Sequence, residues 1–327
     1  MNGAQPKIEI FEPFGAAFEL MKRILFQPFD FAKWCVIGFA AFLANLSGNA
    51  NFNYSRNIGT KGDWSFRSMS HDATGASGWL TSCAVPLLIL VVVLIIAIVG
   101  VLLWVGCRGR FIFTDCIVRN RGAIVEPWRE FRREGNSFFL FSLMVGLVVV
   151  AIIAVAFVPV LLPFLQGWTE GAALVASLTI GIVVLVGVIL LITAAWSLIS
   201  QLMVPVMYRQ RCRALVAFRE VVGLIVTRPG PIILYLLFFF VLALATAMIA
   251  CLSLPFTCCI AAIPYVGTVI LLPIYVVLAA FPLFFLRQFG PEYDVWAVAD
   301  LAASAAAPTA PPVQPPPPSA LPPSQAQ

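Results

Sequence analysis

Arg119-Asn120-Arg121, then Trp128-Arg129-Glu130, follows one long apolar run; Arg209-Gln210-Arg211, then Phe218-Arg219-Glu220, follows another. The two stretches align without a gap: Arg, any residue, Arg, six residues, an aromatic, Arg, Glu. The match predicts a duplicated unit of a long span, a basic turn, an amphipathic stretch and another span. Both copies run in the same direction. With both turns on one side, the repeat is parallel, its axis along the membrane normal.

The runs around these turns decide the fold class. Apolar residues make up 61% of the 327-residue chain and charged residues 11%. A soluble domain is nearer half apolar and a quarter charged. Runs of roughly 20 apolar residues are long enough to cross a bilayer as helix. The sequence therefore reads as all-α, a polytopic transmembrane helical bundle. Spans are predicted at 29–46, 79–105, 137–160, 172–198, 232–252 and 268–286. The first is the weakest, because its uninterrupted apolar part after Lys33 is short. Trp79, Trp104, Trp168, Trp196 and Tyr265 fall near span ends, as an aromatic belt requires.

Three regions follow. Residues 1–28 form an N-terminal interfacial segment, in which Phe14, Phe18, Met21 and Leu25 recur at helical spacing. This stretch carries Glu9 and Glu12 and has no apolar core of the kind a cleavable signal peptide needs. Residues 29–288 form the six-span domain. Residues 289–327 form a disordered Ala/Pro-rich tail, with Pro315 to Pro318 suited to a PPII-binding protein partner.

Charge sets the topology. The stretch 107–136 holds seven arginines and 209–230 holds five. Lys7, Lys22, Arg23 and Lys33 lie near the N-terminus. The short loops near Glu170 and Pro255 hold no Lys or Arg, and the longer loop 49–78 has only Arg56, Lys61 and Arg67. Six spans place every arginine-rich turn, and both termini, in the cytoplasm. The net charge of +5 has this local explanation and gives no reason to expect nucleic acid.

The same residues carry a resemblance. Pro28-Phe29-Asp30-Phe31-Ala32-Lys33-Trp34, Asp115-Cys116-Ile117-Val118-Arg119-Asn120-Arg121, Glu126-Pro127-Trp128-Arg129-Glu130-Phe131 and Val204-Pro205-Val206-Met207-Tyr208 together resemble a group of uncharacterised prokaryotic polytopic proteins. These are similar, more distantly, to the membrane domain attached to some glycerophosphodiester phosphodiesterases. The resemblance covers roughly residues 10–288 and implies a prokaryotic inner membrane. It brings no catalytic residues, because the nearer group has no established activity. The phosphodiesterase barrel and its metal-binding histidines are absent from a chain with one histidine.

Little catalytic chemistry is on offer. Apart from Asp30 and Lys33 at the start of the first, the predicted spans hold no Asp, Glu, Lys, Arg or His, which argues against a proton-coupled pump or an intramembrane hydrolase. His71 lies in a polar loop and reads as solvated. The eight cysteines show no C-x2-C spacing, so neither metal nor cofactor is expected. Cys251 could meet Cys258 or Cys259 near the outer surface; small apolar packing is the favoured reading. Asn53-Tyr54-Ser55 is a weak match to a glycosylation acceptor. Glu126, Glu130 and Glu134 recur at helical spacing and are expected to pair with Arg129 and Arg133. Asp115 sits in an apolar context, where a carboxylate needs a partner, and Arg119 is one helical turn on. Gln201 is expected to hydrogen-bond between helices.

The arginines carry the functional expectation. Guanidinium binds phosphate bidentately and both turns use Arg without Lys. Arg119, Arg121, Arg129, Arg209, Arg211 and Arg219 are therefore candidate contacts for anionic membrane lipids. The expected function is a non-enzymatic membrane protein that engages lipids or partner proteins from the cytoplasmic face. The alternative is a passive transporter or channel for a small molecule or lipid. A continuous path of hydroxyls and carbonyls would favour transport. An open pocket of acid and arginine at Asp115 would favour an enzyme.

Overall fold

The computed structural model describes residues 9–46, 77–165, 172–256 and 264–297. Expectations on His71, Asn53, Trp168, Cys258, Cys259 and the Pro-rich tail lie outside them. The described elements are α1 (Phe11–Leu25), α2 (Phe31–Asn45), α3 (Ser77–Val118), α4 (Val125–Glu130), α5 (Arg132–Leu165), α6 (Ala172–Gln210), α7 (Ala214–Thr227), α8 (Pro229–Phe256), α9 (Pro264–Ile270) and α10 (Leu272–Arg287), with a 3₁₀ turn at Pro291–Tyr293.

In α1, Glu12 lies in the first turn and Lys22 and Arg23 in the last, which suits the helix dipole. The expected stripe is rotated. Pro13, Ala17, Met21, Ile24 and Leu25 are buried, and Phe18 stays 42% exposed. The partner of this face is α10, where Phe14 meets Phe281 edge-on at 6.5 Å.

Asp30 starts α2 by accepting hydrogen bonds from the backbone N–H groups of Ala32 and Lys33. The helix runs antiparallel to the end of α3. Lys33 Nζ donates to Asn120 Oδ1 (2.8 Å) at one end of the contact. At the other, a Cβ on Gly109 would stand 2.6 Å from the backbone of Leu43 and Ala44. Glycine is required there because two helix backbones touch.

Four helices are long and apolar enough to cross a membrane: Pro86–Val118, Arg132–Leu161, Leu174–Gln210 and Pro229–Leu252. The other two expected spans are shorter. α2 has 15 residues and α10 has 16. At about 1.5 Å per residue they reach roughly 22–24 Å, against a hydrocarbon core of roughly 30 Å. The expected span 268–286 is also broken at Leu271, just before Pro273, which has no N–H to give.

The largest departure from expectation is α3. Its span was expected to end at Val105, yet the helix continues to Val118 and carries Arg108, Arg110 and Asp115. The predicted span itself, 79–105, holds no ionisable group, and these three residues follow it. No breaker intervenes, and the charged groups find partners. Arg108 donates to Asn136 Oδ1 (2.8 Å) and lies over the rings of Trp104 (4.3 Å) and Trp128 (5.0 Å). With 42 residues α3 is about 63 Å long, twice the hydrocarbon thickness.

The core lies toward one end. Phe111, Ile112 and Ile117 of α3, Met203 and Met207 of α6, Tyr235 of α8, and Phe281 and Phe285 of α10 are fully buried. Away from it, residues 87–96 of α3 and much of α5, α6 and α8 expose apolar side chains, a surface suited to lipid. Around both basic turns the order is the same: a long helix, the turn, a shorter helix, a long helix.

The close approach at Gly109 gives a prediction. Gly109→Ala should destabilise the protein by about 1–3 kcal/mol through overpacking. Gly146→Ala, where an added Cβ meets nothing within 4 Å, should leave the thermal unfolding midpoint in detergent unchanged.

Candidate functional site

Asp115 lies one turn before the end of α3 and is 0% exposed. A carboxylate without water must be answered by protein donors. Three supply them. Arg119 Nε lies 3.1 Å from Oδ1, one turn along the same helix. Arg121 Nη2 lies 3.3 Å from Oδ2. Tyr208, on α6, donates its phenol O–H to Oδ1 at 2.9 Å. The carboxylate at the end of α3 is thus held partly by α6.

The second bridge is Glu130, at the end of α4. It accepts from Arg119 Nη2 (2.9 Å) and from Arg211 Nη2. Arg119 and Arg211 belong to different basic turns, so one carboxylate joins the two. Phe131 follows it and is stacked on Tyr208 (4.8 Å) and Phe111 (6.0 Å), with the Arg211 guanidinium 3.9 Å from its ring centre. Both turns close with one residue at positive φ, Asn120 at 50° and Arg211 at 52°. Asparagine tolerates this conformation; arginine does so less readily, and Glu130 and Phe131 hold it.

Other bonds bring the first and last described segments to this region. Glu220 of α7 accepts from Gln210 (2.7 Å) and from the Tyr293 phenol (3.0 Å). The Gln288 side chain pairs with the backbone of Glu9 through two hydrogen bonds of 2.9 Å. The two basic turns, the start of α1 and the end of α10 therefore share one end of the molecule.

A model of a family of unknown function (DUF7544) matches residues 8–304. The chain belongs to this family. No curated protein and no solved structure matches it. The distant likeness to phosphodiesterase membrane domains gains no support from these comparisons. The DUF7544 match takes in every helix described above and both basic turns.

Within this DUF7544 chain the six candidate arginines separate. Arg119, Arg121 and Arg211 are spent on Asp115, Glu126 and Glu130. Arg209 is half-buried, and its Nε is buried without a hydrogen-bond partner. Arg129 and Arg219 are exposed. The carboxylates also depart from expectation. Glu126, Glu130 and Glu134 do not share one helix face, because the chain turns at Phe131 between α4 and α5. Glu126 pairs with Arg121, not Arg129. Glu134 is buried, with Oε2 unpartnered. On α7 the buried face is Ala214, Ala217 and Val221, and Leu215 is exposed. Gln201 accepts from Tyr235 of α8 at 3.0 Å. Tyr208 and Arg108 were not legible as site residues, although Tyr208 sits in the quoted stretch Val204 to Tyr208.

Two tests follow. Asp115→Ala strips a buried cluster of its anion and should destabilise by about 3–5 kcal/mol. Tyr208→Phe, removing one hydrogen bond to a charged group, should cost about 1.5–3 kcal/mol. For Glu130, burial raises the pKa, but the hydrogen bonds and charges of Arg119 and Arg211 outweigh it and hold the carboxyl below its ordinary 4.5. A lowered folded pKa gives stability that is fully present above the unfolded value. It is lost as pH falls from about 4.5 through the folded pKa. Unfolding midpoints between pH 6 and pH 3 should therefore fall less in Glu130→Gln than in the wild type.

Proposed function

We propose that this is a non-enzymatic protein of a prokaryotic cytoplasmic membrane that binds anionic lipid through an arginine skirt on its cytoplasmic side. In this reading α2 and α10 complete six crossings, both termini are cytoplasmic, and the two halves are a parallel duplication.

One observation carries the proposal. Arg129, Arg132, Arg133, Arg213 and Arg219 are exposed and enter no ion pair among the described residues. They stand around one junction. Ala214 N donates to Ser137 Oγ (3.0 Å), which sets the start of α7 beside the first turns of α5. Trp128 and Phe218 on the same elements are half-buried against the core. Free guanidinium groups above packed aromatics suit the headgroup level of a bilayer.

The competing readings find less support. Thr114, Ser200, Thr246 and Thr268 hydroxyls each donate to a carbonyl of their own helix. Asp115 is saturated by three partners.

The test is lipid retention. Each basic residue near an anionic surface contributes about 1 kcal/mol. Changing Arg129, Arg132, Arg133, Arg213 and Arg219 to Gln should strip co-purifying anionic lipid and leave the unfolding midpoint unchanged. The triple variant R119Q/R121Q/R211Q should instead lower that midpoint. Unchanged anionic lipid in the five-residue variant would overturn the proposal.

A further inference from the structure

A slot of about 410 Å³ runs between α3, α5 and α6. Its volume falls within the ordinary range for small-molecule sites. Leu103, Leu143, Leu147, Val150 and Ile192 make its wall mostly apolar. On α5 it extends from Phe138 to Val150, about 18 Å along the helix axis. That is close to the depth of one leaflet, half of a hydrocarbon core of roughly 30 Å. Leu143, Leu147 and Val150 line the slot and are exposed, so it opens sideways onto the lipid-facing surface of α5. Arg110 lines it too, already engaged by protein groups that include the Phe138 ring at 5.4 Å.

Below the slot stands positive charge that no carboxylate answers. Arg132 opens α5, is exposed, and enters no ion pair among the described residues. At about 3.6 residues per turn, Arg132, Asn136, Phe139, Leu143 and Val150 share one face of α5. Arg108 of α3 is near enough to Arg132 for the two charges to repel. It is buried, and among the described residues its partners are neutral: Asn136 Oδ1 and the rings of Trp104 and Trp128. Asn136 Oδ1 also accepts from Trp104 Nε1 at 3.0 Å. Three donors on one oxygen fix the amide, and its NH2 group has no partner among the described residues. Two cations, a free amide donor and two tryptophans thus gather at the foot of an apolar slot. A phosphate carried on an alkyl chain suits both parts.

We propose that the slot holds one acyl chain of an anionic phospholipid, with the phosphate between Arg132 and the Asn136 amide. The site rests on the reading of the exposed arginines as a lipid skirt, and is one fixed position within it. Arg132 supplies a bidentate contact to phosphate. Arg108 keeps its bonds to Asn136 and adds positive charge from behind. Asn136 and Phe139 are about 4.5 Å apart along the axis of α5, so one molecule reaches both foot and slot. Apolar contact alone gives the chain little preference, because lipid tails elsewhere are equally apolar. The cationic foot selects this lipid from the rest of the leaflet.

The full chain, delipidated in detergent, is titrated with phosphatidylglycerol and read by native mass spectrometry. One lipid should bind ahead of the rest. Phosphatidylcholine, without net charge, should fill that site at least about fivefold more weakly. Arg132→Gln should weaken it at least about tenfold, the worth of a charge-assisted bond. Gly146→Phe places a ring in the slot, where an added Cβ meets nothing within 4 Å. It should weaken the site comparably while the unfolding midpoint holds. Gly187→Phe, equally open but outside the slot, should leave the site unchanged. Wild-type affinity in Arg132→Gln or in Gly146→Phe overturns the proposal. So does an equal loss in Gly187→Phe, equal binding of phosphatidylcholine, or displacement by stoichiometric glycerophosphoglycerol, the head without its chains. If Gly146→Phe lowers the midpoint, Arg132→Gln and the headgroup comparison decide the question. The five-residue Gln variant judges the skirt separately. Should it shed anionic lipid while Arg132→Gln keeps the first site, the skirt stands and this site falls. Should both keep their lipid, both readings fall.

Discussion

A carboxylate shut away from water is the constraint around which this molecule is arranged. Asp115 has no solvent to turn to, so its charge must be met from within. The donors come from its own helix, from the turn that follows, and from α6. Because one of them is Tyr208, the helices that lead into the two basic turns are fixed against each other. Glu130 repeats the logic nearer the surface, with Arg119 on one side and Arg211 on the other. Lipid-facing helices gain little from apolar contact with one another, since lipid tails are equally apolar. A charged, aromatic knot at one end is therefore an economical way to hold four long helices in register.

The knot also sorts the arginines by task. Those inside the turns neutralise carboxylates; those on α4, α5 and α7 stay free. Net positive charge at this end thus exceeds what the internal pairs consume. The exposed residues are the ones that electrostatic attraction to an anionic surface can use. Arg108 is a third case: it sits on α3 clamped between Trp104 and Trp128.

Much of this was legible in the residues. Four of the predicted spans, the amphipathic α1, the Asp115–Arg119 pair and an interhelical bond at Gln201 follow from hydropathy, period and the cost of burying charge. The ends of α3 and α6 did not. Hydropathy falls at Arg108, so the span was expected to stop there; helix propensity does not fall, and the tertiary partners of Arg108 and Asp115 carry the helix on. The orientation of Glu130 was missed for a related reason. Helical spacing from Glu126 to Glu134 suggested one face, but the turn at Phe131 breaks it. Nothing local announces that break, because Phe131 leaves the helix in order to stack on Tyr208, 77 positions away in sequence. The partner of α1 was likewise invisible, since an amphipathic stripe says that something covers it and not what.

The central claim is that the two arginine turns are coupled through Glu130 and Arg211. A double-mutant cycle of Glu130→Gln, Arg211→Gln and the pair, read as unfolding free energies in detergent, measures it directly. Coupling predicts that the double variant loses less than the sum of the singles, by about 0.5–3 kcal/mol. Strict additivity would contradict it and would leave the two halves of the chain without the link described here.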